Sequence, residues 1–157
     1  TVRGGALQDS SLVARKLVAF RVLLAASPAY LRARGTPSSV DDLAHHDGLS
    51  YTAHRTIRPW LVEGREVRPR DRFRADSGDA LVAAAIAGLG IAYQPEFLVG
   101  PALADGRLVR VLPDAVTWEG AFWAIHRARV RSRTVSAFVD HLAAGLPRVC
   151  FEKGQSD

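Results

Sequence analysis

Residues able to do chemistry gather at a few places in this chain. His45-His46-Asp47 joins two imidazoles to a carboxylate, donor types that bind zinc and related ions. Adjacent side chains diverge on a helix, and no second ligand pair stands at helical spacing, so an exposed helix end is the stronger reading. Ser50, His54 and Asp76 supply the residue types of a hydrolytic triad, but no nucleophile-elbow pattern surrounds the serine. Gly88-Leu89-Gly90 lacks the third glycine of a dinucleotide fingerprint and follows a helical pattern instead of preceding one. The single Cys150 excludes an internal disulfide and a cysteine-rich metal site, and no neighbour activates its thiol. No catalytic set, metal site or cofactor is expected.

What remains suits ligand capture. Asp76-Ser77-Gly78-Asp79 stands between a strand-like segment, Phe73-Arg74-Ala75, and a helical one that begins at Ala80. In α/β sheets small molecules bind where strands end and helices begin. Unpaired amides at a helix start attract a carboxylate, Gly78 permits close approach, and Ser77 offers a hydroxyl. Asp76 and Asp79 bring negative charge to the same end, so helix capping is an equally direct explanation for them.

The charge balance invites a second reading. Twenty-one Lys and Arg against sixteen Asp and Glu give a net charge of +5. Nearly all the basic residues are arginines, spread from Arg3 to Arg148, and no basic motif with interleaved aromatics appears. Arg68, Arg70, Arg72 and Arg74 alternate onto one strand face, opposite Val67, Pro69, Asp71, Phe73 and Ala75. A polyanion site there competes with a solvated sheet face, and the second is favoured. Direct DNA contact by this chain is not expected.

The elements that must position these residues alternate between strand and helix patterns, which argues for an α/β architecture. A chain of 157 residues, 48% hydrophobic and 24% charged, supports one substantial core or two small lobes. Leu12-Val13-Ala14 and Phe20 to Ala26 read as strands, the second apolar throughout, as where both faces are covered. Ser27-Pro28 opens a short helix closed by Gly35, and Ser39 with Asp42 opens another. Asp47-Gly48 reads as a turn before a strand at Leu49-Ser50-Tyr51. Gly64 turns a hairpin between Leu61-Val62 and Val67.

After the helix from Ala80, Gly88 and Gly90 lead into a buried strand at Ile91-Ala92-Tyr93. Pro95 opens a short helix, Pro101 to Asp105 a further one, and Leu108 to Leu112 and Gly120 to His126 read as strands. Val135, Phe138, Val139, Leu142 and Leu146 form one apolar stripe on a last helix, stopped by Gly145 and Pro147. No apolar run approaches the roughly 18–20 residues of a membrane span, and no signal-peptide pattern opens the chain. A cytoplasmic location without membrane contact is expected.

The order of these segments resembles a known family. Ser10 to Leu17, Ala26 to Leu31, Gly35-Thr36-Pro37 with Asp41-Asp42-Leu43, and Asp76 to Leu81 appear in sequence. Ala87-Gly88-Leu89-Gly90-Ile91-Ala92 with Pro95, Gly106 to Leu112, and Val135 to Leu142 complete it. Together they resemble the effector-binding domain of LysR-type bacterial transcriptional regulators over about residues 1 to 146.

The resemblance implies a periplasmic-binding-protein-like α/β fold: two subdomains joined by crossover strands, with a small-molecule effector in the cleft between them. Residues 1–20 and 107–146 are assigned to subdomain one, which is incomplete, residues 21–106 to subdomain two, and residues 147–157 to a polar tail. The winged helix-turn-helix and the first βα units of the family fall outside this sequence, and exposed apolar surface on subdomain one is expected. By position the effector contacts are Arg3 and Gly4 from subdomain one, with Tyr51, Asp76, Ser77, Gly78 and Gln94 from subdomain two. Arg3 would pair an anionic effector, Tyr51 would stack, and Ser77 and Gln94 would orient polar groups. The implied partners are a carboxylate effector and a second copy of the chain, with DNA reached only through the absent part. A solute-binding module of a transport system shares the architecture and stays open at this point, and so does an enzyme acting on small acids.

Overall fold

A computed structural model of the chain describes residues 1–4, 12–53, 56–57, 59–127, 133–147 and 150. The chain divides into two compact units, one of Thr1–Phe20 with Glu119–Asp157 and the other of Arg21–Trp118. It passes between them within β2 (Leu12–Ala26) and again where β10 (Glu119–Arg127) begins. The Phe20-to-Ala26 segment and the Leu12-Val13-Ala14 segment are therefore one strand, not two.

The larger unit is built on a mixed sheet. β8 (Ile91–Pro95) lies between β2, antiparallel to it from Val22–Pro95 to Ala25–Ala92, and β3 (Asp47–Ala53), parallel to it at Gly48–Ile91 and Leu49–Ala92. β7 (Arg70–Ala75) runs parallel to the other side of β3, from Asp47–Arg70 to Tyr51–Ala75. β4 (Thr56–Ile57) pairs antiparallel with the end of β3, and β9 (Val109–Arg110) with the end of β2.

Successive side chains of a strand point to opposite faces, and here each face meets its own core. Leu23, Ala25, Leu49 and Ala92 pack with Leu81 and Ala85 of α2 (Gly78–Ile86) and Val99 and Ala102 of α3 (Glu96–Ala104). Leu24, Ala26 and Ile91 pack on the other side. Their partners are Tyr30 of α1 (Pro28–Arg34), Leu43 of a 3-10 turn (Asp41–His45), and the hairpin of β5 (Trp60–Val62) and β6 (Arg65–Val67). That double coverage is why the strand sequences are apolar without alternation.

The local signals explain most boundaries. Ser27 caps α1 by accepting the Tyr30 amide at 3.2 Å, and Pro28 fills the first helical position. Ser39 Oγ accepts the Asp42 amide at 3.4 Å while Asp42 accepts the Ser39 amide at 3.0 Å, a reciprocal pair across the entry to the 3-10 turn, whose own cap position is Val40 and not Ser39. The hairpin turns through Glu63 and Gly64, with φ of 51° and 69°, the positive values that match strand twist in a two-residue loop.

Several expectations are corrected. Asp47-Gly48 is strand, not turn: a Cβ on Gly48 would collide with the Pro69 ring and come within 3.3 Å of Trp60 Cζ2, so the residue serves close packing. α3 runs unbroken through Pro101 because Val99 and Ala102, at 0% and 2% exposure, bury it on both sides of the proline. The 108–112 strand shrinks to β9, since Leu112 turns the chain at a φ of 47°. The larger unit continues past Gly106 to Trp118, where the sequence reading had returned to the first subdomain. Leu108 and Val111 are buried in its two cores, and the Val22 amide donates to the Trp118 carbonyl at 3.0 Å.

In the smaller unit β1 (Val2–Gly4) pairs antiparallel with β10, and β10 stands next to β2 in strand order. Leu17, Ala124 and Val139 of α4 (Arg133–Pro147) form its core, with Val135, Leu142, Ala143 and Leu146 packed against it. Phe138 is 59% exposed and does not belong to the stripe. At about 100° per residue it falls roughly 40° beyond Leu142, on the far side of the arc that Val135, Leu146, Val139 and Ala143 occupy. Val2 is also exposed. No helix among the described residues is long and apolar enough to cross a membrane.

The packing of α2 and β8 onto β3 turns on Gly90, where a Cβ would sit 2.5 Å from the Asp47 carbonyl oxygen. Gly90→Ala is expected to destabilise the chain by about 1–3 kcal/mol, because backbone must move to admit the methyl. Urea unfolding of the two proteins measures it, and equal midpoints would show that the strands shift freely there.

Candidate functional site

β3, β7 and β8 run in one direction, so their carboxyl ends emerge together. Tyr51 lies two residues beyond the Leu49–Ala92 pair on β3, and Gln94 two residues beyond it on β8. β7 ends at Ala75, opposite Tyr51, and Asp76 and Ser77 lead from it directly into α2. The topology thus brings Tyr51, Asp76, Ser77, Gly78 and Gln94 to one edge of the larger unit.

Ser77 is the helix cap: its φ and ψ of −117° and 121° are extended, and its Oγ accepts the Ala80 amide at 3.4 Å. The Leu81 amide donates to the Ser77 carbonyl at 3.3 Å. Gly78 and Asp79 therefore carry the amides of the first turn that lie beyond reach of helical acceptors. Asp76, the other capping candidate, makes no cap bond, and its side chain is exposed.

Gln94 stands behind this helix start. Its side chain is 3% exposed. Its Oε1 lies 3.0 Å from where a Cβ on Gly78 would be, and Leu98 Cδ1 crowds the same point. Only glycine lets the helix start approach this closely. Tyr51 is 42% exposed, so the ring offers a face to solvent at the edge and is not a core side chain. Leu98 was not singled out from the sequence. It is one apolar residue among several at the start of a helix, and only the approach of α2 makes it a wall of the site.

Arg3 and Gly4 lie on β1 of the smaller unit, paired with Trp123 and Phe122. The structure describes their backbone alone.

The competing chemistry dissolves. His46 is buried and turned toward Tyr30, and among the described residues no group of three or more His, Cys, Asp and Glu could hold a metal ion. Ser50 is 6% exposed, buried in β3, and His54 lies outside the described residues. Three of the four arginines of the run pair with carboxylates: Arg68 with Glu66 at 3.7 Å, Arg70 with Asp47 at 3.6 Å, and Arg74 with Asp71. A register shift at Gly48/Leu49, beside Asp71 and Phe73, also breaks the strict alternation that would have put all four arginines on one face. Cys150 is half-buried, and burial pushes its thiol up, away from the reactive thiolate.

A doubly covered mixed sheet with a helix start and a buried glutamine at the carboxyl ends of parallel strands is an α/β architecture of the periplasmic-binding-protein-like kind. Residues 1–147 match the LysR substrate binding domain family, and the chain belongs to it. It is similar to an uncharacterized HTH-type transcriptional regulator of Haemophilus influenzae, 41% identical over 119 residues, 72% of this chain and 41% of that protein. It is also similar to the HTH-type transcriptional regulator CrgA of Neisseria meningitidis, 37% identical over 116 residues, 72% of this chain and 39% of that one. The solved CrgA regulatory domain superposes with a TM-score of 0.78 at 32% identity, covering 92% of this chain and 74% of that one. The chain thus spans 41% and 39% of the length of the two curated relatives.

Ser77→Ala removes the one side-chain cap of α2. A loss of about 0.5–1 kcal/mol is expected, at the low end for a cap because the 3.4 Å bond is long. Urea unfolding measures it, and unchanged stability would mean that solvent replaces the cap without cost.

Proposed function

We propose that the chain is the effector-sensing domain of a bacterial transcription factor, and that its effector is a small carboxylate bound at the start of α2. Gln94 carries this reading: a buried amide whose Oε1 lies beside the helix start that Gly78 leaves open. A carboxylate there would accept the amides of Gly78 and Asp79 and the Nε2–H of Gln94. The Ser77 hydroxyl and the Tyr51 ring would orient the remainder of the molecule. Asp76 and Asp79 oppose a bare anion, which favours an effector whose own donor groups can meet those carboxylates. Arg3, on β1 of the smaller unit, is tested separately by its own variant in the same screen.

The effector acts by differential affinity: whichever state of the protein it binds better becomes more populated. The relatives are named HTH-type regulators, so we assign DNA contact to the length of those proteins outside this match, in a cytoplasmic homodimer. The same relatives favour this reading over a solute-binding module of a transport system, and no acid/base pair at the site supports an enzyme.

A thermal-shift and calorimetric screen of the chain against small aliphatic and aromatic carboxylates tests the proposal. At least one acid is expected to raise Tm, and Gln94→Leu, Ser77→Ala and Arg3→Ala are each expected to weaken it about tenfold or more, the size of one lost hydrogen bond to a charged group. Binding that survives Gln94→Leu would place the effector elsewhere.

A further inference from the structure

Outside the candidate site, the most constrained polar group is His46. Its ring is 8% exposed, at the point where β3 and β7 begin. The Tyr30 hydroxyl of α1 accepts the Asp47 amide N–H at 2.9 Å and lies 3.1 Å from His46 Nδ1. The His46 carbonyl accepts the Arg70 amide at 2.9 Å, which starts β7. The Tyr30 hydroxyl therefore connects α1 to the start of β3 and to the His46 ring, while the His46 backbone starts β7.

The donors and acceptors of this cluster are all satisfied in one protonation state. A phenol has one proton to give. Its oxygen accepts from Asp47, and Nδ1 is the acceptor within reach of that proton. With Nδ1 accepting, the neutral ring carries its proton on Nε2. A protonated ring presents a donor at both nitrogens, which leaves the phenol proton without an acceptor in a buried place.

Four charged groups face the ring from the elements packed around it: Arg34 of α1, Asp42 of the 3-10 turn, Asp47 of β3 and Arg70 of β7. The carboxylates favour the cation and the guanidiniums oppose it, but Asp47 is itself paired with Arg34 at 3.3 Å and Arg70 at 3.6 Å. Burial outweighs these and holds His46 below its ordinary value of 6.5. Burial likewise raises Tyr30, which keeps the phenol protonated.

We propose that His46 is a pH-sensitive latch: as a neutral acceptor its ring holds the Tyr30 hydroxyl of α1 at the point where β3 and β7 begin, and protonation removes that bond. A histidine held below its ordinary value binds its proton more readily in the unfolded chain. Its contribution is full above the ordinary 6.5 and is lost as pH falls through the lower folded value. Asp42, held at about 2 by hydrogen bonds from Ser38 and Ser39, stays ionised across that window.

The experiment follows thermal unfolding of the chain from about pH 8 to about pH 5, with the histidine ring nitrogens read by NMR over the same range. The wild-type Tm is expected to fall with acidification by roughly 4 °C or more. His46→Asn keeps an acceptor near the phenol without a titrating group and is expected to flatten that dependence. The ring should be the Nε2–H tautomer at the alkaline end and titrate below 6.5, and Tyr30→Phe should raise its midpoint. A ring protonated on Nδ1 when neutral, a midpoint at or above the ordinary value, or an unchanged pH slope in His46→Asn would each overturn the latch. If His46→Asn does not fold, the wild-type tautomer and the Tyr30→Phe midpoint decide alone.

Discussion

Residues 22–26 of β2, together with β8, face protein on both sides, and most of the larger unit follows from that. A strand covered on one face can alternate polar and apolar residues, but a strand covered on both must give its whole length to packing. Leu23 and Ala25 serve one core, Leu24 and Ala26 the other, and Ile91 and Ala92 divide in the same way. Polar groups are displaced to the strand ends, where the chain leaves the sheet. The tight approaches at Gly48 and Gly90 are the second consequence, because layers on both faces leave no slack between strand backbones and their neighbours. The candidate site occupies the place this constraint leaves, at the carboxyl edge of β3, β7 and β8.

Two of the buried polar residues stand where strands begin and end. Gln94 lies near the end of β8, with its Oε1 beside the helix start at Gly78. His46 immediately precedes β3, within reach of the Tyr30 hydroxyl. A satisfied polar group in such surroundings fixes a unique arrangement. Surface charge does not: Arg68, Arg70 and Arg74 meet Glu66, Asp47 and Asp71, exposed pairs whose individual contributions are small.

Much of the fold could be read from local chemistry. Ser27-Pro28 and Ser77 mark helix starts because a side-chain oxygen can satisfy an orphan amide within three residues. Gly64 marks the hairpin because its positive φ excludes most other residues. The apolar run of β2 announced a doubly covered strand. The misreadings share one cause, a local signal overruled by packing. Gly48 reads as a turn but serves contact with Pro69, Pro101 reads as a helix start but lies inside α3, and Phe138 fits the helical spacing but lies past the edge of the buried arc.

By itself the sequence determined the α/β class, the ordered segments that resemble the family, and the helix start at Ser77-Gly78, since each is written in neighbouring residues. Only the tertiary structure decided that Tyr51 and Gln94 reach the same strand edge as that helix start. The residues lie far apart in sequence, and what joins them is parallel register, which is set by interstrand hydrogen bonds and core packing. The same holds for His46. Its sequence neighbours favoured an exposed helix end over a metal ligand, yet the ring is buried, and its partner lies sixteen residues away, where α1 places the Tyr30 hydroxyl against it.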